Sequence, residues 1–262
     1  MKGQMTNLSP ASLRRELMTK LIGQNVLYRR VTSSTMDVAK QAVKEEAEEG
    51  TIVLADHQTA GRGRFGRSWW APPESSILLS IILRPKLEEL PRIGMAASLA
   101  VVRCIEKTTG LKPVIKWPND IIIEGKKVCG HLIESEVDQE TVNSAVLGIG
   151  LNVNLDPSLI PEIAETATSL KEVLGEEVSR LEILRTLLVE FDELYHALRQ
   201  GEPIAKLWRH RLETLGQQVT VKSGPQIWQG YAESVDRDGS LLLRRPDGSL
   251  LTIAAGDVTL QV

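Results

Sequence analysis

Three arginines, each next to a glycine, form the stretch of this sequence best suited to chemistry. In the segment GRGRFGR, residues 61–67, each of Arg62, Arg64 and Arg67 directly follows a glycine. Glycine lets the backbone come close to a ligand, and a guanidinium group offers rigid planar donors to carboxylate or phosphate oxygens. The segment therefore predicts a loop that binds an anion.

The same glycines satisfy the GxGxxG pattern of a dinucleotide-binding turn, but the residues that follow do not fit such a turn. A Rossmann turn continues into a helix and has an acidic residue about 20 positions later. Here the chain continues as RSWWAPPESS, whose prolines oppose a helix, and residues 82–85 include no Asp or Glu. We therefore favour the anion-binding loop, with a solvated surface turn as the plain alternative.

Three like charges in one short loop repel each other when no ligand is bound. A bound anion would neutralise them, and each charge-assisted hydrogen bond contributes roughly 1.5 to 3 kcal/mol once it is desolvated. We therefore expect the loop to be mobile when empty and ordered when an anion is bound.

A second group of polar residues lies in the segments KWPND and GKKVCG. They surround a turn and a predicted hairpin, and they are Lys116, Asn119, Asp120, Lys126 and Lys127. Asn and Asp also favour turns, and paired lysines suit a solvated hairpin tip, so a purely structural role is the alternative. Together with the arginine loop, the group indicates a binding site at one end of a sheet.

The segment GIGLNVN predicts a strand with an unusual surface. It contains Gly148, Gly150, Asn152 and Asn154. Glycine weakens a strand and often marks the close approach of a ligand or another backbone, although a β-bulge is an alternative. We expect the face of this strand to leave room for a flat ligand.

Buried strands and helices must position these groups. The apolar runs TIVLAD and SILLSIIL predict strands on either side of the arginine loop. A helix is predicted from the Ser34 cap to about Gly50, another over residues 91–110, and a short one over residues 8–24. The segment after Lys116 predicts a hairpin that turns near residues 124 and 125.

The last third of the chain changes character. Leucine and aromatic residues at helical spacing predict a long helix from about Leu181 to Arg199. From Gln217 onward, short alternating segments separated by DRDG and PDGS turns predict a small β-barrel.

Composition limits the class of protein. The 262 residues are 42% hydrophobic and 25% charged, as in ordinary globular proteins, and the net charge of −3 gives no general attraction to nucleic acid or membrane. The two cysteines, Cys104 and Cys129, fit neither a disulfide framework nor a zinc site. The sequence has no signal-peptide core and no run of ~18 apolar residues, so we expect a cytoplasmic protein without a membrane partner.

The motifs together resemble those of biotin protein ligases. The shared segments are SSTMD, HQTAGRGRFGRSWWAP, KWPNDIII, GKKVCGHLIE and GIGLNVN, which span about residues 33–154 in the order and spacing of the family. The resemblance implies an α+β fold with a central mixed β-sheet flanked by helices, similar to class II aminoacyl-tRNA synthetases, followed by an SH3-like barrel. We expect a catalytic domain over residues 1–214 and the barrel over residues 215–262.

The resemblance also implies a reaction in two steps. Biotin and ATP give biotinyl-AMP and pyrophosphate, and a lysine of a biotin carboxyl carrier protein, such as a subunit of acetyl-CoA carboxylase, then attacks the mixed anhydride. Because the first step brings a carboxylate to a phosphate, positive charge and positioning should supply most of the catalysis.

Site residues follow from the resemblance, position by position. The residues assigned to catalysis are Arg62, Arg64, Asp120 and Lys127. Those assigned to biotin are Ser34, Thr35, Met36, Gln58, Gly61, Arg62, Gly63, Arg64, Lys127, Gly130 and Gly150. Those assigned to ATP are Arg64, Arg67, Trp69, Lys116, Asn119, Lys127 and Asn152. No protein-only metal cluster is expected, and Mg²⁺ should arrive with ATP near Asn119 and Asn152.

Two positions depart from the family pattern. Met36 stands where Asn is usual, which puts one contact to the ureido ring in doubt. His131 stands where an aliphatic residue is common, and we interpret it as a tolerated core or rim residue rather than a catalytic base.

Other partners and functions are weighed against this interpretation. Only 32 residues precede SSTMD, too few for a DNA-binding domain, so we expect the ligase-only form without a DNA partner. The resemblance is compatible with a homodimer. The alternatives are a lipoate or octanoate protein ligase of the same superfamily, which has less use for Ser34, Thr35 and Gln58, and a nucleic-acid-binding protein, which the negative net charge disfavours.

Overall fold

The computed structural model describes residues 8–260, which form a seven-stranded sheet with helices on both faces and a five-stranded C-terminal sheet. The helices are α1 Pro10–Arg14, α2 Thr35–Lys44, α3 Leu90–Thr109, α4 Leu170–Leu174, α5 Arg180–Arg199 and α6 Ile204–Arg209. The strands of the large sheet are β1 Val26–Thr32, β2 Ile52–Gln58, β3 Ser76–Leu83, β4 Val114–Lys116, β5 Asp120–Ile123, β6 Lys126–Asp138 and β7 Thr141–Asn152. The strands of the C-terminal sheet are β8 Gln218–Ser223, β9 Gln226–Val235, β10 Leu241–Arg244, β11 Leu250–Ile253 and β12 Asp257–Leu260.

The large sheet is mixed, which confirms the expected fold class. Its strand order is β1-β2-β3-β7-β6-β5-β4. Only β1 and β2 run parallel, and every other neighbouring pair is antiparallel. The long antiparallel ladder of β3, β7 and β6 lies at the centre, so the glycines of β7 are placed in the middle of the sheet.

Side chains alternate across the sheet and give it two apolar faces. On β2, Val53 packs with Met36 and Ala39 of α2, whereas its neighbours Ile52 and Leu54 belong to the larger core that includes α3 and α5. This is the two-residue period expected of a strand buried on both sides. The thin apolar layer under α2 leaves room beside that helix for a ligand.

The C-terminal sheet is antiparallel throughout and shares the core of the large domain. Its order is β11-β10-β9-β8-β12. The indole nitrogen of Trp117 donates to the carbonyl of Gly239, 2.8 Å away, and Val219 and Leu241 belong to the same apolar cluster as α3. These contacts fix the position of β12 relative to the arginine loop.

The helix predicted over residues 8–24 is shorter than expected. Only Pro10–Arg14 is helical. The backbone N–H groups of Lys20, Leu21 and Ile22 donate to the carboxylate of Asp192 at 2.8, 2.9 and 2.8 Å, so they are unavailable for helical hydrogen bonds. A single acidic side chain on α5 therefore shapes the N-terminal segment.

We expect Asp192→Asn to destabilise the fold by about 2–4 kcal/mol. The carboxamide has one acceptor oxygen instead of two and turns an N–H group toward backbone donors, whereas hydrogen bonds to a charged acceptor contribute about 1.5–3 kcal/mol each. Urea unfolding measures the change. The control is Glu193→Gln, which removes the same charge from the exposed neighbouring position and should change stability by less than about 0.5 kcal/mol. Equal effects of both substitutions would contradict the assigned role of Asp192.

Candidate active site

A cavity of about 650 Å³ lies on the α2 face of the large sheet. It is bounded by the start of α2, the arginine loop, β4 to β7 and the end of β12. The cavity brings together residues from the arginine loop, from the KWPND and GKKVCG segments and from the GIGLNVN strand. The predicted residues that line it are Ser34, Thr35, Met36, Gln58, Arg62, Gly63, Arg64, Arg67, Trp69, Lys116, Asn119, Asp120, Lys127, Gly130, Gly150 and Asn152.

Of the residues assigned to catalysis, biotin or ATP, only Gly61 does not line the cavity. The arginine loop is a tight hairpin in which the Gly61 carbonyl accepts from Trp69 N at 2.9 Å and Gly63 N donates to the Arg67 carbonyl at 2.6 Å. A Cβ atom at Gly61 would lie 2.3 Å from the Trp69 carbonyl oxygen. Gly61 is therefore required by the close packing at the base of the hairpin.

Two arginines of the loop form ion pairs with carboxylates from distant elements. Arg62 Nη1 lies 2.6 Å from Asp37 Oδ1 of α2, and Nη2 lies 3.6 Å from Glu134 of β6. Arg67 Nη2 lies 2.7 Å from both carboxylate oxygens of Asp257 on β12. The repulsion expected from the sequence is thus offset by the protein itself, although the prediction about loop mobility stays a prediction.

Arg64 is the most buried of the three arginines. Its Nη1 donates to Asn119 Oδ1 at 2.9 Å and to the Gly256 carbonyl at 3.2 Å. Burial lowers the pKa of Arg64, the carboxylates of Asp257 and Asp120 raise it, and the charge of Arg67 lowers it further. A guanidinium group nevertheless stays protonated in a protein, so Arg64 supplies a partly desolvated positive charge to the cavity.

The room predicted on the face of β7 is filled by a side chain of the protein. A Cβ atom at Gly150 would lie 2.4 Å from Trp69 Cε2, and one at Gly130 would lie 3.3 Å from Trp69 Cζ3. Since Gly130 and Gly150 are paired across β6 and β7, the indole lies on two neighbouring glycines. Trp69 Nε1 is buried and has no hydrogen-bond partner among the described residues, which leaves a donor for a ligand.

The inner end of the cavity carries a hydrogen-bonded polar group. Gln58 Oε1 accepts from Thr35 N at 2.7 Å and from Thr35 Oγ1 at 2.9 Å, and Ser80 Oγ donates to Thr35 Oγ1 at 2.8 Å. Because the oxygen of the Gln58 amide is used twice, its orientation is fixed and Nε2 is the group left to donate. Ser34 lies beside them as the N-cap of α2.

Met36 lies next to this polar group and contacts β7. It is 4% exposed, and a Cβ atom at Gly148 would lie 2.7 Å from its Sδ. The thioether therefore fills the space that Gly148 leaves, and the wall of the cavity is apolar at this point.

A lysine and an aspartate face each other at the centre of the cavity. Lys127 Nζ lies 2.6 Å from Asp120 Oδ1 and 5.6 Å from the centroid of the Trp69 ring. A parallel bridge to Ala167 holds the Lys127 backbone. In contrast, Lys126 does not line the cavity, and its Nζ lies 3.9 Å from Glu172.

The three asparagines predicted near the site differ in which side-chain atoms lack a hydrogen-bond partner. Asn119 uses its oxygen for Arg64 and donates from Nδ2 to the His131 carbonyl at 2.7 Å. Asn152 donates to the Thr168 carbonyl at 3.0 Å, and its buried Oδ1 has no partner within residues 8–260. Asn154 is bound to the Val178 backbone and does not line the cavity.

No three His, Cys, Asp or Glu side chains in the described part of the chain come together to hold a metal ion. Among residues 8–260, the lining residues with carboxylate or unpartnered amide oxygens are Asn152, Glu165 and Glu213, whereas the Asp120 carboxylate is paired with Lys127. Because Mg²⁺ is commonly held by one or two protein oxygens together with substrate phosphates and water, these donors fit a metal ion that arrives with a nucleotide.

The ring of His131 is directed away from the cavity. His131 Nε2 lies 2.8 Å from Ser98 Oγ on α3, and its Cε1 faces Gly94. Burial, reinforced by the charges of Arg64 and Lys127, lowers the pKa of His131 to about 3. A neutral, buried imidazole on the far side of the sheet supports the core role predicted for it.

Several residues that line the cavity lie outside the sequence segments that predicted the site. They are Ile163 and residues 165–167 beside Lys127, and Thr259 and Leu260 at the end of β12. Ser80 was also not predicted; it does not line the cavity but donates to Thr35 from behind. The serine stands out only as a polar residue inside the apolar strand SILLSIIL, and the others reach the site through tertiary structure. The C-terminal sheet therefore contributes directly to the cavity wall.

Comparison with known proteins gives consistent matches. Residues 28–152 match the biotin/lipoate A/B protein ligase family, and residues 214–260 match the biotin protein ligase C terminal domain. The bifunctional ligase/repressor BirA of Bacillus subtilis is 36% identical over 258 residues, which cover 97% of this chain and 79% of that protein. The biotin–[acetyl-CoA-carboxylase] ligase of Mycobacterium tuberculosis is 33% identical and is covered to 96% of each chain.

A solved structure extends the similarity to the fold. The biotin protein ligase from Aquifex aeolicus in complex with biotin and ATP superimposes with a TM-score of 0.77 at 27% identity. The match covers 91% of this chain and 99% of that one.

His131 provides a test through the pH dependence of stability. An unfolded histidine takes up a proton near pH 6.5, whereas the native ring, with a pKa of about 3, does not. Stability is therefore complete above pH 6.5 and is lost as the pH falls toward 3, by about 1.4 kcal/mol per unit. Between pH 6.5 and about pH 5, the unfolding free energy of the wild type should fall by about 2 kcal/mol more than that of His131→Leu. Parallel falls in urea titrations of the two proteins would contradict this.

Proposed function

This chain belongs to the biotin protein ligases of the biotin/lipoate A/B protein ligase family, and we propose that its cavity is the site where biotin is activated and from which it is transferred. The protein activates biotin with ATP and passes the biotinyl group to a carboxylase carrier protein. The observation that carries the site assignment is a single cavity with a rigid polar group at its inner end, Lys127 at its centre, and Arg62, Arg64 and Arg67 toward its mouth.

We assign the inner end to the bicyclic ring of biotin. The ureido group offers one acceptor oxygen and two N–H donors. Gln58 Nε2 and the Ser34 hydroxyl are available as donors, and Thr35 is held in place by Gln58 and Ser80. The valeryl chain would run along the apolar wall of the cavity, which brings the biotin carboxylate toward Lys127.

We assign the cationic end to the carboxylate and the phosphates. In the first step a carboxylate oxygen attacks the α-phosphorus of ATP, the new C–O–P linkage forms, and pyrophosphate leaves with the electrons of the broken P–O bond. Arg62, Arg64 and Lys127 stabilise the negative charge that two approaching anions concentrate there. Mg²⁺ bound to ATP would neutralise phosphate charge, and Asn152 Oδ1, a buried acceptor without a partner among the described residues, would be available to hold it.

We assign the proton transfer of the second step to Asp120. The ammonium group of the acceptor lysine must lose a proton before its nitrogen can attack the acyl carbon, and AMP then leaves. A carboxylate within reach of the reacting atoms serves as the base. Asp120 lies in the centre of the cavity and forms an ion pair with Lys127, so both side chains can contact the same ligand.

Other expectations remain part of the proposal. From Leu132 to Asp138, β6 has no partner strand on its β5 side among the described strands, which provides an edge for a second copy in a homodimer. Within residues 8–260, none of the helices has the length and apolar character needed to cross a bilayer. A cytoplasmic location and the absence of a DNA partner stay predictions, and the free, buried thiols of Cys104 and Cys129 are compatible with the former.

ATP–pyrophosphate exchange tests the substrate. With Mg²⁺ present, we expect exchange that depends on biotin and is at least about 100-fold slower with lipoate or octanoate, because the polar inner end would be left unpaired by an apolar ligand. Exchange with lipoate or octanoate in place of biotin would reassign the substrate. Exchange with none of the acids would contradict the activation step.

Asp120→Asn should separate the two half-reactions. We expect biotin-dependent exchange to stay within about threefold of the wild type, since the amide keeps its size, while transfer to a carrier protein falls by about 100-fold or more because the base is lost. The exchange assay serves as the control for binding of biotin and ATP. Equal losses in both assays would contradict the role of Asp120 as the base.

A further inference from the structure

Phe65, at the tip of the arginine loop, combines an exposed aromatic side chain with a left-handed backbone conformation. Its side chain is 55% exposed, and it does not line the cavity. Its backbone has φ +56°, ψ +36°, the left-handed region that bulky residues rarely adopt. Neither hydrophobic burial nor backbone preference therefore explains a phenylalanine here.

The backbone conformation of the turn favours residue types other than phenylalanine. Arg67 N donates to the Arg64 carbonyl, and both central residues, Phe65 and Gly66, have positive φ values of 56° and 72°. Turns with two positive φ values strongly favour Asn, Asp or Gly. A strained residue of this kind at the mouth of a site points to a function for its side chain.

The ring of Phe65 contacts two cations of the site. The guanidinium carbon of Arg64 lies 4.8 Å from the ring centroid, and that of Arg67 lies 5.9 Å from it. The face of an aromatic ring carries partial negative charge and attracts cations within about 6 Å. Since Arg64 and Arg67 repel each other, a neutral ring that attracts both lets them stay close without adding a carboxylate that would repel an anionic ligand.

We propose that Phe65 is a positioning residue for the nucleotide: its ring holds Arg64 and Arg67 together at the mouth of the cavity so that both can bind phosphate oxygens. The inference rests on the proposed function, because it needs the phosphates of ATP at this end of the cavity. Asp257 and Asn119 hold the same arginines from the protein side, each through a single nitrogen. The ring supplies attraction without using a donor, so N–H groups of both arginines remain for the ligand.

Three substitutions separate the ring from the size and backbone preference of the residue. Phe65→Tyr keeps the aromatic face, Phe65→Leu keeps an apolar side chain without one, and Phe65→Asn suits the turn but has no ring. We expect Tyr to stay within about twofold of the wild type. Leu and Asn should raise KM for ATP about fivefold or more in biotin-dependent exchange, the effect of losing two exposed cation–π contacts.

Phe65→Asn separates an effect on stability from an effect on ATP binding. Because Asn suits a positive φ, its Tm should equal or exceed that of the wild type while its KM for ATP rises. The matched control is Tyr231→Leu, which replaces a 40% exposed aromatic residue of β9 and should leave KM for ATP unchanged. The dissociation constant of biotin measured without ATP should change much less than KM for ATP in all variants, since Arg67 is assigned to ATP alone.

Pyrophosphate binding and the carrier-transfer assay distinguish a role of Phe65 in phosphate binding from a role in carrier docking. Direct calorimetric binding of pyrophosphate should weaken about fivefold in Phe65→Leu, and this readout does not require any acid substrate. A wild-type KM for ATP and wild-type pyrophosphate affinity in Phe65→Leu would overturn the proposal. A defect confined to transfer would also overturn it, because it would assign Phe65 to carrier docking. Failure of the wild type to exchange with biotin would count against the proposed function alone, since the pyrophosphate comparison still reports on the arginines.

Discussion

The concentration of positive charge in one cavity is the constraint on which the site depends. In the proposed function, Arg62, Arg64, Arg67 and Lys127 share one anionic ligand, yet the fold must be stable when that ligand is absent. Each cation is therefore paired with an acceptor from a different element, and the acceptors are Asp37 of α2, Asn119 before β5, Asp257 of β12 and Asp120 of β5. The charge requirement thus links α2, the large sheet and the C-terminal sheet.

Glycines make that convergence sterically feasible. Trp69 lies flat on Gly130 and Gly150, and Met36 fills the space beside Gly148, so each glycine is matched to a specific large side chain. Any Cβ at Gly150 would overlap the indole. The indole in turn closes one side of the cavity beside Lys127, which keeps water away from part of the cationic end and strengthens its electrostatic interactions.

The sequence predicts which residues meet in the cavity far better than it predicts their mutual contacts. Local patterns were sufficient to predict the arginine loop as a loop, the hairpin after Asp120 and the glycine strand, because turn chemistry and periodicity act over a few residues. The pairing of Arg67 with Asp257 joins positions 190 residues apart. The hydrogen bonds from the Lys20, Leu21 and Ile22 amides to Asp192 span 172, 171 and 170 residues. Such contacts depend on how the two sheets and α5 pack, and no local pattern encodes them. The same limit explains why Trp69, and not an open face, was found on β7.

The two ends of the cavity differ in how readily their contacts can be exchanged, and this difference suits an enzyme that joins a ring to a nucleotide. At the cationic end, the Arg62 to Asp37 and Arg67 to Asp257 pairs are 36–57% exposed, and such pairs contribute about 0–1 kcal/mol. A phosphate group can therefore replace either carboxylate at small cost. At the inner end, Thr35 and Gln58 are buried, and the Gln58 amide oxygen accepts both hydrogen bonds that Thr35 donates. Rearranging them would leave buried polar groups unpaired, at a cost of about 1–3 kcal/mol each. The proposed ring site is thus preorganised for one geometry, whereas the proposed phosphate site could follow its ligand from ATP to the acyl-adenylate as charge moves along the reaction.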